Sequence, residues 1–456
     1  MNNNLHQLGV FELSNLLKKR EISSVDLINE FLKHIEATEP SVGAFALITH
    51  EKALEQASES DRKRKLNKQP SNSILEGIPY GLKDIFDTKN ILTEAGSEIY
   101  KGRIPNSDAY VVKLLHENGA VLLGKTITTE FADGHPPDTK NPWDTNRTPG
   151  GSSTGSAVAV ATRMLPYALG TQTVGSVLRP AAYNGIVGLK PTYGLISKAG
   201  VIPQSNSCDT VGILCRNVID ATMILKSIAG YDPNDQHSSI KADSFEIDYS
   251  FSNLIPKIGF LSKYFIDESD ENVKQSTLTA LKSLSNQGAI IDEIDIKIDF
   301  PSGFKSHRIV QQSEMAQWHK PLYLKYADKY KAITLEYIKS GFSQNATEYI
   351  NALEFRNQMR KVAIDALKSF DVLMMPTASG LPPKDLSRTG DTRFQSPWTF
   401  TGLPSIAIPA GLSEDGLPQS IQLVSEPFKE KKLLNAAKWV ESVLGTLPAP
   451  KVKEAL

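Results

Sequence analysis

Gly151-Ser152-Ser153-Thr154-Gly155 sets two adjacent serines in a glycine frame, and Ser176 closes a second run, Gly170-Thr171-Gln172-Thr173-Val174-Gly175-Ser176. Serine attacks a carbonyl only when a base takes its proton. Upstream, Lys83 ends an apolar stretch, Ile78 to Leu82, that reads as a strand. Lysine serves as a base only when neutral. Its pKa must then fall from ~10.4 to ~7, a shift worth roughly 4–5 kcal/mol. Burial pushes in that direction and a nearby carboxylate opposes it. From Thr145 to Cys208 there is no Asp or Glu, although acids number 51 in 456 residues. The window keeps Arg147, Arg163, Arg179, Lys190 and Lys198 and is rich in small residues. Ionised groups are costly to desolvate, so a stretch this poor in charge reads as buried.

Other chemistries fit less well. Gly151 to Gly155 also matches G-x-S-x-G, a nucleophile elbow with Ser153 as the attacking residue. An elbow needs a hydrophobic strand before it, and Asn141 to Gly150 contains two prolines and no apolar run. It also needs a histidine late in the chain, and the last one is His319. No Lys follows Gly155, which excludes a phosphate loop. The eight histidines are scattered without an H-x-x-x-H pair, so no zinc ligand set is visible.

Composition limits the classes further. The chain is 40% hydrophobic with a formal net charge of −1, an ordinary globular balance with no general pull toward nucleic acid or lipid. Cys208 and Cys215 make no disulfide framework. The N-terminus shows no signal peptide, and no apolar run reaches the ~18 residues of a membrane helix. These features predict a cytoplasmic protein.

Helices are predicted at Val25–Thr38, Glu51–Leu66, Val111–Asn118, Ser156–Arg163 and Val218–Gly230. Strands are predicted at Ile78–Leu82, Val121–Gly124, Ile186–Leu189 and Leu195–Ser197. After Tyr231 the texture turns polar. Then come strands at Lys257–Leu261 and Ala289–Ile296 and long helices at Glu271–Leu284, His307–Tyr330 and Ala346–Ser369. Strands return at Asp371–Met375, Ser405–Ile408 and Ser420–Val424, and a helix closes the chain at Lys431–Val443. The alternation argues for α/β with a mixed or mainly parallel sheet. A single domain over 1–456 is expected: an N-terminal helical part (1–70), a core (71–230), an insertion flanking the site (231–370) and a return to the core sheet (371–456).

The motif blocks resemble those of the amidase signature family. They are Gly77-Ile78-Pro79-Tyr80-Gly81-Leu82-Lys83-Asp84, then Asn141-Pro142-Trp143-Asp144 with Arg147 to Ala157, then Gly170 to Ser176 with Arg179-Pro180 and Gly188 to Thr192, and Asp209-Thr210-Val211-Gly212. A looser tail carries Pro376-Thr377, Thr401 to Pro404, Pro409 to Gly411 and Asp415 to Pro418. The resemblance implies one α/β/α fold around a large mixed sheet. It implies Ser176 as nucleophile, Ser152 on a cis peptide bond as relay, Lys83 as base and Ser153 supporting the relay. Backbone N–H groups of Thr173, Val174 and Gly175 would form the oxyanion hole. The implied reaction is hydrolysis of a carboxylic amide, with esters or carbamates also accepted, and it needs no metal or cofactor.

Taken singly, these residues have plainer readings: Ser152 and Ser153 as helix N-caps, Ser176 as a turn serine, Lys83 as a solvated strand end. Three positions depart from the family pattern. Gln172 stands where most members have Asp, Val174 where they have Gly, and Leu178 where they have Arg, with Arg179 one later. A stand-alone amidase is expected, a monomer or homodimer acting on a small-molecule amide without nucleic acid or membrane. The rivals are a glutamine-amidase subunit of a tRNA-dependent amidotransferase and a non-catalytic scaffold. The former is disfavoured because Ser379 to Phe400 lacks the associated glutamine-binding pattern. The substrate pocket is expected to draw on Gly124–Asp138, Met315–Tyr326 and Ser379–Trp398. Phe131, Trp318, Tyr323 and Trp398 are its candidate lining and suggest an apolar or aromatic group.

Overall fold

The computed structural model describes residues 4–66, 73–252 and 254–452. One sheet organises them. Its strands are β1 (Phe45–Ile48), β2 (Pro79–Lys83), β3 (Val121–Thr126), β4 (Tyr167–Gln172), β5 (Val187–Lys190), β6 (Thr210–Cys215), β7 (Lys257–Leu261), β8 (Ile290–Ile294), β9 (Val372–Pro376), β10 (Ser405–Leu412) and β11 (Pro418–Val424). They lie in the order β1-β3-β2-β4-β6-β5-β10-β11-β9-β7-β8. The run from β4 to β9 is antiparallel, with parallel triplets β3-β2-β4 and β9-β7-β8 on either side. Strand β1 joins β3 antiparallel at one edge. The sheet is therefore mixed, as expected.

Helices pack against it: Thr154–Ala161 on β4, Val218–Ile228 on β6 and Glu430–Leu444 on β10. The helix Ser24–Val42 shows how the sequence writes such an element. Ser23 Oγ accepts the Asp26 N–H at 3.0 Å and caps the helix. Leu27, Ile28, Phe31, Leu32 and Ile35 form its buried face. Gly43 ends it at φ +64°, where a side chain is disfavoured.

Four elements differ from expectation for physical reasons. Leu195–Ser197 forms no strand and follows a turn closed by the Leu195 N–H on the Thr192 carbonyl. Strands β4 and β6 carry no alternation because every residue in each is buried, so they read as motif loops instead. The helix expected from His307 starts at Phe300, since Asp299 caps Ser302 and Pro301 sits in the first turn, where its missing N–H costs nothing. A further helix, Ala332–Ser343, packs against that one. Among the described residues no helix is long and apolar enough to cross a membrane.

Burial follows the acid-free window. Every residue from Met164 to Thr192 is buried. Strands β2 and β4 are parallel neighbours, Gly81 opposite Ala168 and Leu82 opposite Leu169, so Lys83 and Thr171 emerge at the same end of the sheet.

Candidate active site

Lys83 ends β2 and is fully buried. Its Nζ donates to Ser152 Oγ at 2.8 Å and to Thr171 Oγ1 at 2.9 Å. Burial lowers its pKa to about 7, with the Asp209 charge pulling weakly the other way. Lys125, on β3, is buried beside it in the sheet but has a different partner. Its Nζ lies 3.3 Å from Asp84 Oδ1. One strand end thus holds a charge-paired lysine and the next holds a lysine set on hydroxyls.

Of the three serines, Ser152 is the one hydrogen-bonded to that amine. The Gly151–Ser152 peptide bond is cis. Ser153 sits at the N-cap position of Thr154–Ala161, yet its side chain makes no capping bond. Its Oγ donates to the Thr171 carbonyl and accepts the Thr171 N–H, both at 3.3 Å, tying the serine loop to β4. Gly170 permits this approach, because a Cβ there would meet Ser153 Oγ at 2.4 Å. The Ser153 N–H donates to the Ser176 carbonyl at 3.3 Å, which holds the two serine loops together.

The loop Thr173–Gly175 is pinned from outside. His307 Nε2 donates to the Thr173 carbonyl at 3.0 Å, and Thr399 Oγ1 donates to the Val174 carbonyl at 2.8 Å. Thr173 Oγ1 donates to Asp209 Oδ1 at 2.5 Å. These contacts use carbonyls and a hydroxyl, so none competes for the backbone N–H groups that an oxyanion needs. Burial drops His307 to about 3, so it stands here as a neutral donor.

The departures from the family pattern have structural roles. Gln172 Oε1 accepts the N–H groups of Val177 and Leu178 at 2.8 and 2.9 Å, and its Nε2 donates to Thr399 Oγ1 at 2.9 Å. Arg179 donates to the carbonyls of Gly151 and Gly390, each at 2.6 Å, and to Thr389 Oγ1 at 3.0 Å. Val174 lines the cavity in front of Ser176.

That cavity holds about 200 Å³. Its wall is more polar than expected, with Asp133, Gln204, Arg308, Tyr337 and Asp391 among its residues. Of the expected segments, Ala132–Gly134 and Arg388–Thr392 reach it. Met315–Tyr326 does not; the helix wall comes from Phe304, Arg308 and Gln311, about two turns earlier. The four aromatic candidates lie elsewhere. Phe131 packs against Trp318, His319 and Tyr330, Tyr323 against Phe342, and Trp398 against Phe265 and Phe300. Large rings serve the core as readily as a cavity, and nothing in their spacing separates the two uses. Thr171 and Asp209 escape a reading of the sequence as functional positions, although both lie inside the motif blocks.

Comparison with known proteins agrees with this geometry. The sequence profile of the family described as Amidase matches residues 26–434. A glutamyl-tRNA(Gln) amidotransferase subunit from Geobacter sp. (strain M21) is 34% identical over 95% of this chain and 96% of its own length. Its counterpart from Carboxydothermus hydrogenoformans is 35% identical over the same shares. Among solved structures, the peptide amidase of Stenotrophomonas maltophilia superposes with a TM-score of 0.83 at 27% identity, over 99% of both chains. A chain described with a vestigial protein complex at the origin of an s-triazine catabolic enzyme gives 0.87 at 28% identity, over 97% of this chain and 100% of that one.

These matches correct one expectation. A chain working without nucleic acid, alone or as a homodimer, is contradicted by near-full-length relatives named as one subunit of a tRNA amidotransferase. Net charge near zero does not exclude such a partner, because an interface needs only a local patch. With the motif blocks, the buried lysine–serine cluster and a family match over most of its length, the chain belongs to the amidase signature family, whose chemistry is cleavage of amide C–N bonds.

Proposed function

We propose that this chain hydrolyses a small carboxamide through an acyl-enzyme on Ser176. Lys83, neutral at working pH, draws the Ser176 proton through Ser152, and Ser152 returns it to the leaving amine or ammonia. The N–H groups of the Thr173–Gly175 loop receive the oxyanion, where losing one donor costs about 10²–10³ in rate. Water then attacks the acyl group with the same relay as base. One observation carries this reading: the buried Lys83 amine is hydrogen-bonded to two hydroxyls and, among the described residues, paired with no carboxylate. A fluorophosphonate should label Ser176, and Ser176→Ala should abolish both label and turnover. A label on Ser153 instead would overturn the assignment.

The setting best supported is that of an amidase subunit releasing ammonia inside a tRNA-linked assembly. The names of relatives 34 and 35% identical over 95% of the chain favour it. Purification of the tagged chain from its native host tests this. Recovery with other subunits and with tRNA-dependent turnover supports it. A lone chain with full activity on simple amides overturns it.

A further inference from the structure

The turn that follows β3 delivers an acid to the cavity that the acyl-transfer chemistry leaves unused. Phe131 and Ala132 both adopt positive φ, 48° and 63°. Phe131 is anchored among aromatic rings, so the chain turns and Asp133 comes to the cavity wall. Glu130, on the other side of the turn, is occupied by Ser97 Oγ and by the Lys331 N–H, each at 2.8 Å. Asp133 is 4% exposed. Its Oδ1 accepts from Gln204 Nε2 at 3.2 Å, while its buried Oδ2 has no hydrogen-bond partner among the described residues.

Of the other charged groups of the wall, Arg388 is exposed, and Arg179, Asp391 and Arg308 have partners. Arg179 is taken by carbonyls. Asp391 is held by Arg393 and by Ser379 Oγ. Arg308 donates to Gln311 Oε1 and lies over the rings of Phe304 and Tyr337. A buried polar atom without a partner is costly, and an acceptor facing a ligand cavity is relieved when a ligand brings a donor.

We propose that Asp133 is a specificity-determining residue whose Oδ2 receives an N–H donor of the substrate, best an ammonium, next to the amide that Ser176 attacks. The proposal rests on the Ser176 reading above. Burial raises the Asp133 carboxyl to about 8, with Arg308 opposing. A carboxyl reluctant to ionise on its own ionises when a cation arrives, so an ammonium gains more there than a neutral group of the same shape.

Alaninamide and isobutyramide test this, since they differ only in an ammonium replacing a methyl. The readout is the concentration of each that half-protects Ser176 from fluorophosphonate labelling. In the wild type, alaninamide should protect at a concentration at least tenfold lower. In Asp133→Ala the gap should close, and in Asp133→Asn it should narrow. A cooperative thermal unfolding transition in both variants reports an intact fold. Equal protection in the wild type, or a gap that persists in Asp133→Ala, overturns the proposal. A wild-type chain that never labels at Ser176 overturns the acyl-enzyme reading instead, and the role of Asp133 with it.

Discussion

Gln172 caps the helix that carries the chain away from Ser176: its Oε1 accepts the Leu178 N–H at 2.9 Å and, at the same oxygen, the Val177 N–H at 2.8 Å. An aspartate at this position in most relatives would bring a charge. The glutamine fixes the same corner with a neutral group, which spares Lys83 a raising influence. Gln172→Ala should lower unfolding free energy by about 1–2 kcal/mol through two unsatisfied N–H groups. It should also lower kcat more than it changes KM. Thermal unfolding and steady-state kinetics check both parts.

On the proposed relay, the pKa of Lys83 sets the pH dependence. With its folded value near 7, the neutral form and hence kcat/KM should rise as pH climbs through about 7 and then level. The stability consequence has a definite sign. Between the folded value of about 7 and the ordinary lysine value of 10.5, the unfolded chain binds the extra proton, so this group makes stability increase with pH across that window. Lys83→Met should abolish activity and remove that slope. The difference between wild type and variant should change by up to about 1.4 kcal/mol per pH unit. Denaturant unfolding at several pH values measures it.

Asp209 opposes the lowering of the Lys83 pKa and also holds Thr173 Oγ1. Asp209→Asn removes the charge and keeps an oxygen acceptor. The acid limb of the rate profile should therefore move to lower pH, while the plateau falls because the loop is held less firmly. A limb that stays in place would show that the two residues are not coupled.

Arg179 joins the relay loop to the far wall through Gly151, Thr389 and Gly390. A lysine cannot span these three acceptors with one ammonium. Arg179→Lys should cut kcat at least tenfold and cost about 2–3 kcal/mol of stability from buried groups left unpaired. A variant with wild-type kcat would assign the contacts to packing alone.

Much of the candidate site was legible because its groups lie in short contiguous motifs. Lys83, Ser152, Ser153 and Ser176 are each surrounded by glycines and prolines whose backbone needs leave a recognisable text. Strands β4 and β6 were not legible, because burial on both faces erases the alternation by which a strand is read. The cavity wall was hidden for another reason. Arg308 and Tyr337 sit on helices whose rotation is decided by packing against each other and not by local pattern. Trp398 looked like a wall residue and is wholly buried, stacked on Phe265 with centroids 6.2 Å apart.

The pins on the Thr173–Gly175 loop come from widely separated parts of the chain, Asp209, His307 and Thr399. During synthesis Lys83 and all three serines emerge first. A growing chain that ends at residue 230 holds every group of the proposed relay but lacks two of the three pins. The expected consequence is a delay built into the order of translation: Ser176 stays unreactive until Thr399 has been made and has docked. Reaction of Ser176 with a fluorophosphonate then dates the docking of Thr399, and a fragment of residues 1–230 that labels at the full rate would show that no such delay exists.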